Sequence, residues 1–212
     1  EIYTLSLHDA LPISISGSNT CSNYQVRYRV KPNADIYSTS FEDGLPDGWT
    51  MFDNDNDEHN WTYDDGTKKG MAHSGNGCMY SASYINNYGA LEPDNWLVSP
   101  QLTMGNTMKV WLKGQDEDAY GEHFAIYLSL AGNNKADFLD ANGNLLSTVI
   151  TLVPETETTN EYQEYTADLS AYSGHGYIAI RHFNCYDEFY LVLDDFCLYD
   201  DNAGDRDRKS VV

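Results

Sequence analysis

The sequence predicts an all-β fold in which short strands pack as a sandwich or a barrel. Segments rich in β-branched and aromatic residues recur along the chain, and turn signals such as Asp65-Gly66 and Asn142-Gly143-Asn144 separate them. The composition agrees, because 17 tyrosines and 16 glycines accompany few lysines. No segment has the periodicity of a convincing amphipathic helix, and no internal repeat indicates a propeller or solenoid.

The predicted strands follow one another through the chain from residue 61 to residue 199. In order, they are residues 61–63, 78–83, 95–99, 108–113, 124–130, 145–152, 162–168, 177–183 and 190–199. Two segments, 134–139 and 169–172, are expected to form helical turns. This spacing of many short strands is typical of a sandwich or barrel.

The chain is expected to contain one main domain, at residues 35–200. Residues 15–34 read as the tail of a preceding β domain, because 24–30 alternate as a strand and end at Lys31-Pro32-Asn33. The strings TLSLHDALPIS (4–14) and DRKSVV (207–212) resemble translations of a sequencing-adapter oligonucleotide. We therefore expect residues 1–14 to be an adapter-derived artefact without packed contacts, and 201–212 to be a linker followed by another such artefact.

The charge of the chain excludes several classes of partner. A formal net charge of −21 repels nucleic acid and anionic membrane surfaces and attracts divalent cations. No apolar run approaches the ~18 residues that a membrane-spanning helix needs. Neither nucleic-acid binding nor membrane insertion is expected.

The pair Asp194-Asp195 is the first candidate for a metal site. Strict alternation along a strand would place Asp194 on the same face as Val192 and Phe196, which is the predicted core face. A carboxylate there is costly unless it is paired or metal-bound, and residues 191–199 contain no Lys or Arg. Ca²⁺ ligation would resolve the conflict. The alternative is that both aspartates end the strand and cap a turn in solvent.

A second acidic group, Asp53, Asp55 and Asp57, alternates with asparagines in one loop. Their spacing matches the first, third and fifth positions of an EF-hand, but Glu58 stands where that loop requires glycine. The segment is therefore not an EF-hand. It is predicted either to supply calcium ligands, in a second or a shared site, or to be a solvated polar loop.

An aromatic and amide-rich stretch is the candidate ligand surface. Tyr80, Tyr84 and Tyr88, with Asn86 between them, offer flat rings on which sugars stack and an amide that binds hydroxyl groups. Ordinary packing of strand tyrosines is the competing interpretation.

The sequence offers no persuasive catalytic constellation. GxSxG, HExxH and P-loop motifs are absent, and a glycosidase-type pair such as Glu117 and Glu122 is available in any acidic chain. His182 and Cys185 lie three residues apart, but a core histidine and a small buried thiol are favoured over a nucleophilic pair.

The four cysteines, Cys21, Cys78, Cys185 and Cys197, show no CxxC spacing, which argues against a zinc or redox site. Cys185 and Cys197 are candidates for a disulfide in an oxidising compartment.

Four strings together carry a family resemblance: FEDGLPDGW (41–49), DNDNDEHNW (53–61), EPDNWLVSP (92–100) and LVLDDFCLY (191–199). They resemble the cleaved-adhesin domain of gingipain-type surface proteins, as do GEHFAIYLS (121–129) and YIAIRHFNC (177–185). A looser likeness extends to MAM domains and to jelly-roll carbohydrate-binding modules.

This resemblance implies a two-sheet jelly-roll β-sandwich with a structural Ca²⁺ ion, held by Glu42 and by Asp194 or Asp195. It also implies a non-catalytic adhesin module of an extracellular, secreted or surface-anchored bacterial protein, one domain of a longer chain, that binds a host or matrix protein or glycan. The alternatives are a carbohydrate-binding accessory module of a secreted hydrolase or protease, and a spacer without a ligand.

Overall fold

The fold is built from β-strands joined by turns and long loops. A computed structural model describes residues 34–104 and 107–200. Within them the strands are β1 (Ala34–Thr39), β2 (Thr50–Asp53), β3 (Thr62–Asp64), β4 (Cys78–Ala82), β5 (Tyr84–Ile85), β6 (Gly89–Ala90), β7 (Asp94–Val98), β8 (Leu102–Thr103), β9 (Thr107–Gly114), β10 (His123–Ser129), β11 (Ile150–Glu157), β12 (Gln163–Asp168), β13 (His175–Phe183) and β14 (Tyr190–Asp200).

The strands form two antiparallel sheets and one small hairpin. The front sheet has the order β12-β9-β14-β4-β3, with β1 also paired to β14. The back sheet has the order β11-β10-β13-β7-β2, with β8 also paired to β13, and β5 pairs with β6. The described residues contain no α-helix, only a 3-10 turn at Lys135–Asp137 inside the predicted helical turn. The predicted two-sheet β-sandwich is confirmed.

The main core lies between the sheets and follows the two-residue period of the strands. In β9 every second residue is buried, so that Met108, Val110 and Leu112 enter the core. Phe124 and Ile126 of the back sheet belong to the same buried cluster. None of these five side chains has measurable solvent exposure.

The outer face of each sheet is also covered in part. On the back sheet, Phe138 beside the 3-10 turn packs against Trp96 and Tyr127. On the front sheet, Met71 joins a cluster that includes Tyr190 and Val192 of β14. The loop between β3 and β4 therefore lies over the centre of the front sheet, where both candidate aspartates of β14 are found.

The strand predictions needed correction at several points. β11 begins at Ile150, not at Leu145, because residue 146 turns back and its N–H donates to the Phe138 carbonyl oxygen. The polar strand β1 and the short strands β2, β5, β6 and β8 were not predicted. Phe41 lies just after β1, with φ at 53°.

Predictions for residues 1–33 and 201–212 lie outside the described part of the chain. Of the described residues, none belongs to a helix long and apolar enough to cross a membrane.

Candidate functional site

One edge of β14 is shared by two different strands, and a gap separates them. Residues Tyr190 to Leu193 pair with β4, and Phe196 to Asp200 pair with β1. Asp194 and Asp195 lie between these two ladders. We call this gap the β14 seam, and it comprises Asp194, Asp195, Glu42 and residues 73–77.

A β-bulge at the seam overturns the predicted orientation of Asp194. The register with β9 shifts between Asp194 and Cys197, and Asp195 has a φ of 48°. Leu193 and Phe196 therefore both enter the main core, although they are three residues apart. Asp194 is fully buried, as expected, but on the outer face of the sheet, beneath the loop that precedes β4.

The two aspartates bind the beginning of that loop. Backbone N–H groups of His73 and Ser74 donate to Asp194 Oδ2 at 2.8 and 3.0 Å. Asp195 Oδ1 accepts a hydrogen bond from Ser74 Oγ at 2.8 Å, and its Oδ2 lies 2.6 Å from His73 Nδ1. The His73 ring stacks on Trp111 with a centroid separation of 4.1 Å.

Glu42 binds the end of the same loop. The backbone N–H groups of Asn76 and Gly77 donate to its carboxylate, the former at 3.0 Å from Oε2. A Cβ atom on Gly75 would overlap this carboxylate, and one on Gly77 would overlap the Phe41 carbonyl oxygen. The structure therefore places Glu42, Asp194 and Asp195 around one loop, and glycine is needed where the chain segments meet.

Asp194 carries the strongest electrostatic signal of the seam. Burial raises its pKa from 3.8 to about 6, and the nearby charge of Asp195 adds to that effect, while backbone N–H donors oppose it. Among the described residues, no Lys or Arg forms an ion pair with Asp194. The oxygens of Glu42, Asp194 and Asp195 do not converge within 4.8 Å of one another, and each carboxylate instead accepts hydrogen bonds from residues 73–77.

Asp53, Asp55 and Asp57 come together in a group of their own. One carboxylate oxygen from each lies within 4.8 Å of the others. Burial, followed by the charges of Asp57 and Asp53, raises the pKa of Asp55 to about 6. The Asp55 carboxylate also accepts a hydrogen bond from the backbone N–H of Asp94. The loop is thus fixed to β7 of the back sheet.

The predicted ligand surface is only partly assembled. Tyr80 lines a shallow groove of about 160 Å³ together with His59, Asn60 and Tyr190. Tyr88, which is 64 % exposed, meets the His59 ring at 4.6 Å between centroids. We call this surface the tyrosine groove. It brings Tyr80 and Tyr88 to one region.

The other two candidates do not line this groove. Tyr84 packs against Phe189, with ring centroids 6.3 Å apart. Asn86 is exposed in the turn between β5 and β6.

Cys185 belongs to a buried polar cluster that the sequence did not reveal. No disulfide joins it to Cys197. Its Sγ instead lies 3.1 Å from His182 Nε2 and donates to Glu122 Oε2 at 3.2 Å. His182 is a core histidine, as predicted. Glu122, for which the sequence indicates no role because any acidic chain offers such carboxylate pairs, is fully buried. Strand alternation through 121–129 would have placed Glu122 and Phe124 on one buried face.

The order of these features along the chain also matches a known family. The sequence profile of the Cleaved Adhesin Domain family matches residues 34–198. The chain belongs to this family. The matched span includes every candidate residue of the seam, the aspartate loop and the tyrosine groove. The resemblance predicted from the four sequence strings is confirmed.

Relatives of this cleaved adhesin domain are much longer proteins. Hemagglutinin A of Porphyromonas gingivalis is 37% identical over 180 residues, which are 80% of this chain but 7% of that protein. A Lys-gingipain of the same species is 38% identical over 169 residues, which are 74% of this chain and 9% of its own length. The chain therefore spans a tenth or less of these relatives.

Solved structures place the match within one domain of such proteins. A cleaved adhesin domain of Lys-gingipain from P. gingivalis superposes with a TM-score of 0.62 at 35% identity, covering 79% of this chain and 99% of that one. A carbohydrate-binding module solved with β-1,4-galactotriose has a TM-score of 0.50 at 15% identity, covering 81% of this chain and 97% of its own. The second likeness concerns the fold alone.

Proposed function

We propose that this domain is a non-catalytic, calcium-stabilised binding module of a secreted or cell-surface bacterial protein. It attaches that protein to a host or matrix protein or glycan. The family match over residues 34–198 carries the proposal, because the matched part of Lys-gingipain is a cleaved adhesin domain. The −21 charge and the acidic surface loops favour cations and neutral or basic partners over anionic ones.

The tyrosine groove is the proposed contact surface. Tyr88 is 64 % exposed, and the Tyr80 ring lies 4.2 Å from the Lys68 ammonium and 4.8 Å from the Tyr190 ring. Asn60 adds amide groups at the groove wall. Fixed aromatic faces beside amides suit the apolar face and hydroxyl groups of a sugar ring, and they suit an amphipathic peptide equally.

Binding to a glycan array and to a panel of immobilised matrix proteins tests this surface. We expect Tyr88→Ala to weaken binding roughly fivefold, since an exposed aromatic contact contributes on the order of 1 kcal/mol. Tyr186→Ala is the matched control, because Tyr186 is 58 % exposed in a different cleft. If both variants lose the same amount of binding, the groove is not the contact surface. If the wild type binds nothing on either the glycan array or the protein panel, the spacer alternative is supported.

Calcium is proposed to bind at the β14 seam through Glu42, Asp194 and Asp195. The support is a buried Asp194 carboxylate, with two further carboxylates, Glu42 and Asp195, hydrogen-bonded to the same loop of residues 73–77. A bound Ca²⁺ ion would neutralise the negative charge of Asp194, which is otherwise stabilised by backbone N–H groups. Asp53, Asp55 and Asp57 are proposed as ligands of a separate ion, because their oxygens already converge.

Thermal unfolding in calcium and in chelator tests the metal proposal. A ligand that binds only the folded state adds about 2.7 kcal/mol at a hundredfold excess over its dissociation constant. We expect chelation to lower the Tm, and Asp194→Ala or Glu42→Ala to reduce this calcium response. Asp43→Ala, which changes an exposed neighbour of Glu42, should leave the calcium response unchanged. An identical Tm in calcium and in chelator would end the metal proposal.

Calorimetric titration tests the separate ion at Asp53, Asp55 and Asp57. We expect Asp55→Ala to bind one calcium ion fewer per chain than the wild type.

A further inference from the structure

Three metal-ligating side chains from two chain segments meet beside the end of β13, where His182 also contacts Ser81 of the front sheet. Glu122 directly precedes β10, His182 lies near the end of β13, and Cys185 follows that strand. His182 Nε2 is 2.9 Å from Glu122 Oε2 and 3.1 Å from Cys185 Sγ, and the thiol is 3.2 Å from the same carboxylate oxygen. One oxygen, one nitrogen and one sulfur therefore face a common point.

The atoms on the far side of this cluster already have partners. His182 Nδ1 lies 2.7 Å from Ser81 Oγ. Glu122 Oε1 accepts hydrogen bonds from Ser83 Oγ and from the backbone N–H of Phe189, both at 2.8 Å. These contacts hold the imidazole and the carboxylate so that each directs one donor atom inward. Such outer partners are characteristic of metal-binding histidines and carboxylates.

The same geometry argues against a nucleophilic cysteine. In an activated Cys-His pair, the orienting acid binds the imidazole nitrogen opposite the thiol. Here Glu122 and Cys185 contact the same nitrogen of His182. Burial, together with the Glu122 charge, raises the pKa of the Cys185 thiol far above its ordinary value.

We propose that Glu122, His182 and Cys185 form a binding site for a divalent transition metal of the zinc class. Zinc bonds of about 2.0–2.3 Å in a tetrahedral site separate neighbouring donors by roughly 3.3–3.6 Å. The observed separations of 2.9, 3.1 and 3.2 Å need to widen by only about 0.4 Å. Mixed oxygen, nitrogen and sulfur donors select zinc-like ions over Ca²⁺. The site is thus independent of the calcium proposal.

The remaining coordination position would open toward solvent. Cys185 is half-buried and lines an open cleft of about 650 Å³ with Arg181, Asn184 and Tyr186. A water molecule from this cleft can complete the tetrahedron. Metal binding displaces two protons to solvent, the thiol proton of Cys185 and the proton shared by His182 Nε2 and Glu122 Oε2, and His182 then carries one proton on Nδ1, facing Ser81. The absence of CxxC spacing is no obstacle, because the fold, not the local sequence, brings the donors together.

Cobalt substitution in calcium-loaded protein tests the site directly. Excess Ca²⁺ occupies the carboxylate groups, and Co²⁺ then reports sulfur ligation by a thiolate charge-transfer band. We expect one Co²⁺ per chain, displaced by one Zn²⁺, and loss of the band in Cys185→Ser. Cys197→Ser and Cys21→Ser are thiol-removal controls that should keep it. Ser81→Ala should keep the band and weaken affinity by roughly tenfold.

A second variant, Glu122→Gln, keeps the proposal testable if circular dichroism shows that Cys185→Ser does not fold. Glu122→Gln should retain the charge-transfer band but require more Co²⁺ to reach it. No band at saturating Co²⁺, a band that survives in folded Cys185→Ser, or a band lost only in Cys197→Ser or Cys21→Ser would overturn the assignment.

Discussion

At the scale of single residues, Asp194 shows how the fold holds a buried charge. Its carboxylate has no exposure, and three backbone N–H groups donate to it, from His73, Ser74 and Asp195. Neutral donors stabilise a carboxylate less than an adjacent cation does, which is consistent with a pKa raised by burial to about 6. The residue is therefore ionised at neutral pH at a cost in stability.

We predict a specific pH dependence for the metal-free protein. Because the folded pKa of Asp194 is above its unfolded value of 3.8, the stability it contributes is complete below pH 3.8 and is lost as the pH rises through about 6. The loss is on the order of 3 kcal/mol at neutral pH. In chelator, wild-type stability should fall more steeply from pH 4 to 7 than that of Asp194→Asn. Urea unfolding measures both slopes, and parallel slopes would contradict the prediction. In excess calcium the trend should reverse, because metal and proton compete for the carboxylate.

At the scale of elements, one strand organises the seam. β14 pairs along one edge with β4 and β1 in succession, and its bulge supplies the space into which residues 73–77 fit. The loop approaches so closely that Gly77 has no room for a side chain. The geometry of the seam thus depends on a close backbone contact as well as on its carboxylates.

We predict that Gly77→Ala lowers stability by roughly 2 kcal/mol and also reduces the calcium response. A Cβ atom there meets the backbone of Phe41 and Glu42, which cannot move without displacing β1. Gly70→Ala is the control, because Gly70 has a φ of 78° and no atom near its added Cβ, so only backbone strain of about 1 kcal/mol is expected. Thermal unfolding with and without calcium compares the two. Equal effects would mean that the close approach is unimportant.

The sequence predicted the strands well wherever the two-residue period was regular. The bounds of β14 were predicted well, but Asp194 was assigned to the wrong face of the sheet. A bulge inserts one residue between Asp194 and Cys197, and the periodicity of the sequence contains no sign of it. The sequence did not indicate β1 because ADIYST lacks an apolar pattern and pairs only through the distant β14. The sequence also did not indicate the cluster of Glu122, His182 and Cys185, because Glu122 lies 60 residues before His182 in the chain.

At the scale of the whole molecule, the net charge of −21 opposes compactness, and the carboxylate groups concentrate that repulsion. The seam ties β1, the loop before β4 and β14 together. Calcium bound there would act on all three at once. Among the described residues, the hydrogen bonds of the seam carboxylates go to residues 73–77 and to β14 itself, not to the back sheet. The back sheet, with the Glu122–His182–Cys185 cluster, should therefore respond separately.

We predict that chelation makes the front sheet selectively sensitive to a lysine-specific protease. Lys69 and Lys135 are both exposed, the first in the loop over the front sheet and the second in the 3-10 turn over the back sheet. Removing calcium should accelerate cleavage after Lys69, by up to about a hundredfold at calcium levels a hundred times the dissociation constant. Mass spectrometry of timed digests identifies the sites. Equal acceleration at Lys135 would indicate global unfolding instead.

The pairing of β1 with β14 has a mechanical consequence. Ala34 pairs with Asp200 and Thr39 with Phe196, so the chain enters and leaves this ladder at the same end. Tension applied at both ends would peel the two strands apart one residue pair at a time, which requires less force than shearing the whole ladder at once. Peeling then meets Phe41, whose buried ring packs on Trp49, and Glu42, bound to residues 76 and 77. Under load, the seam would be the point where unravelling stops.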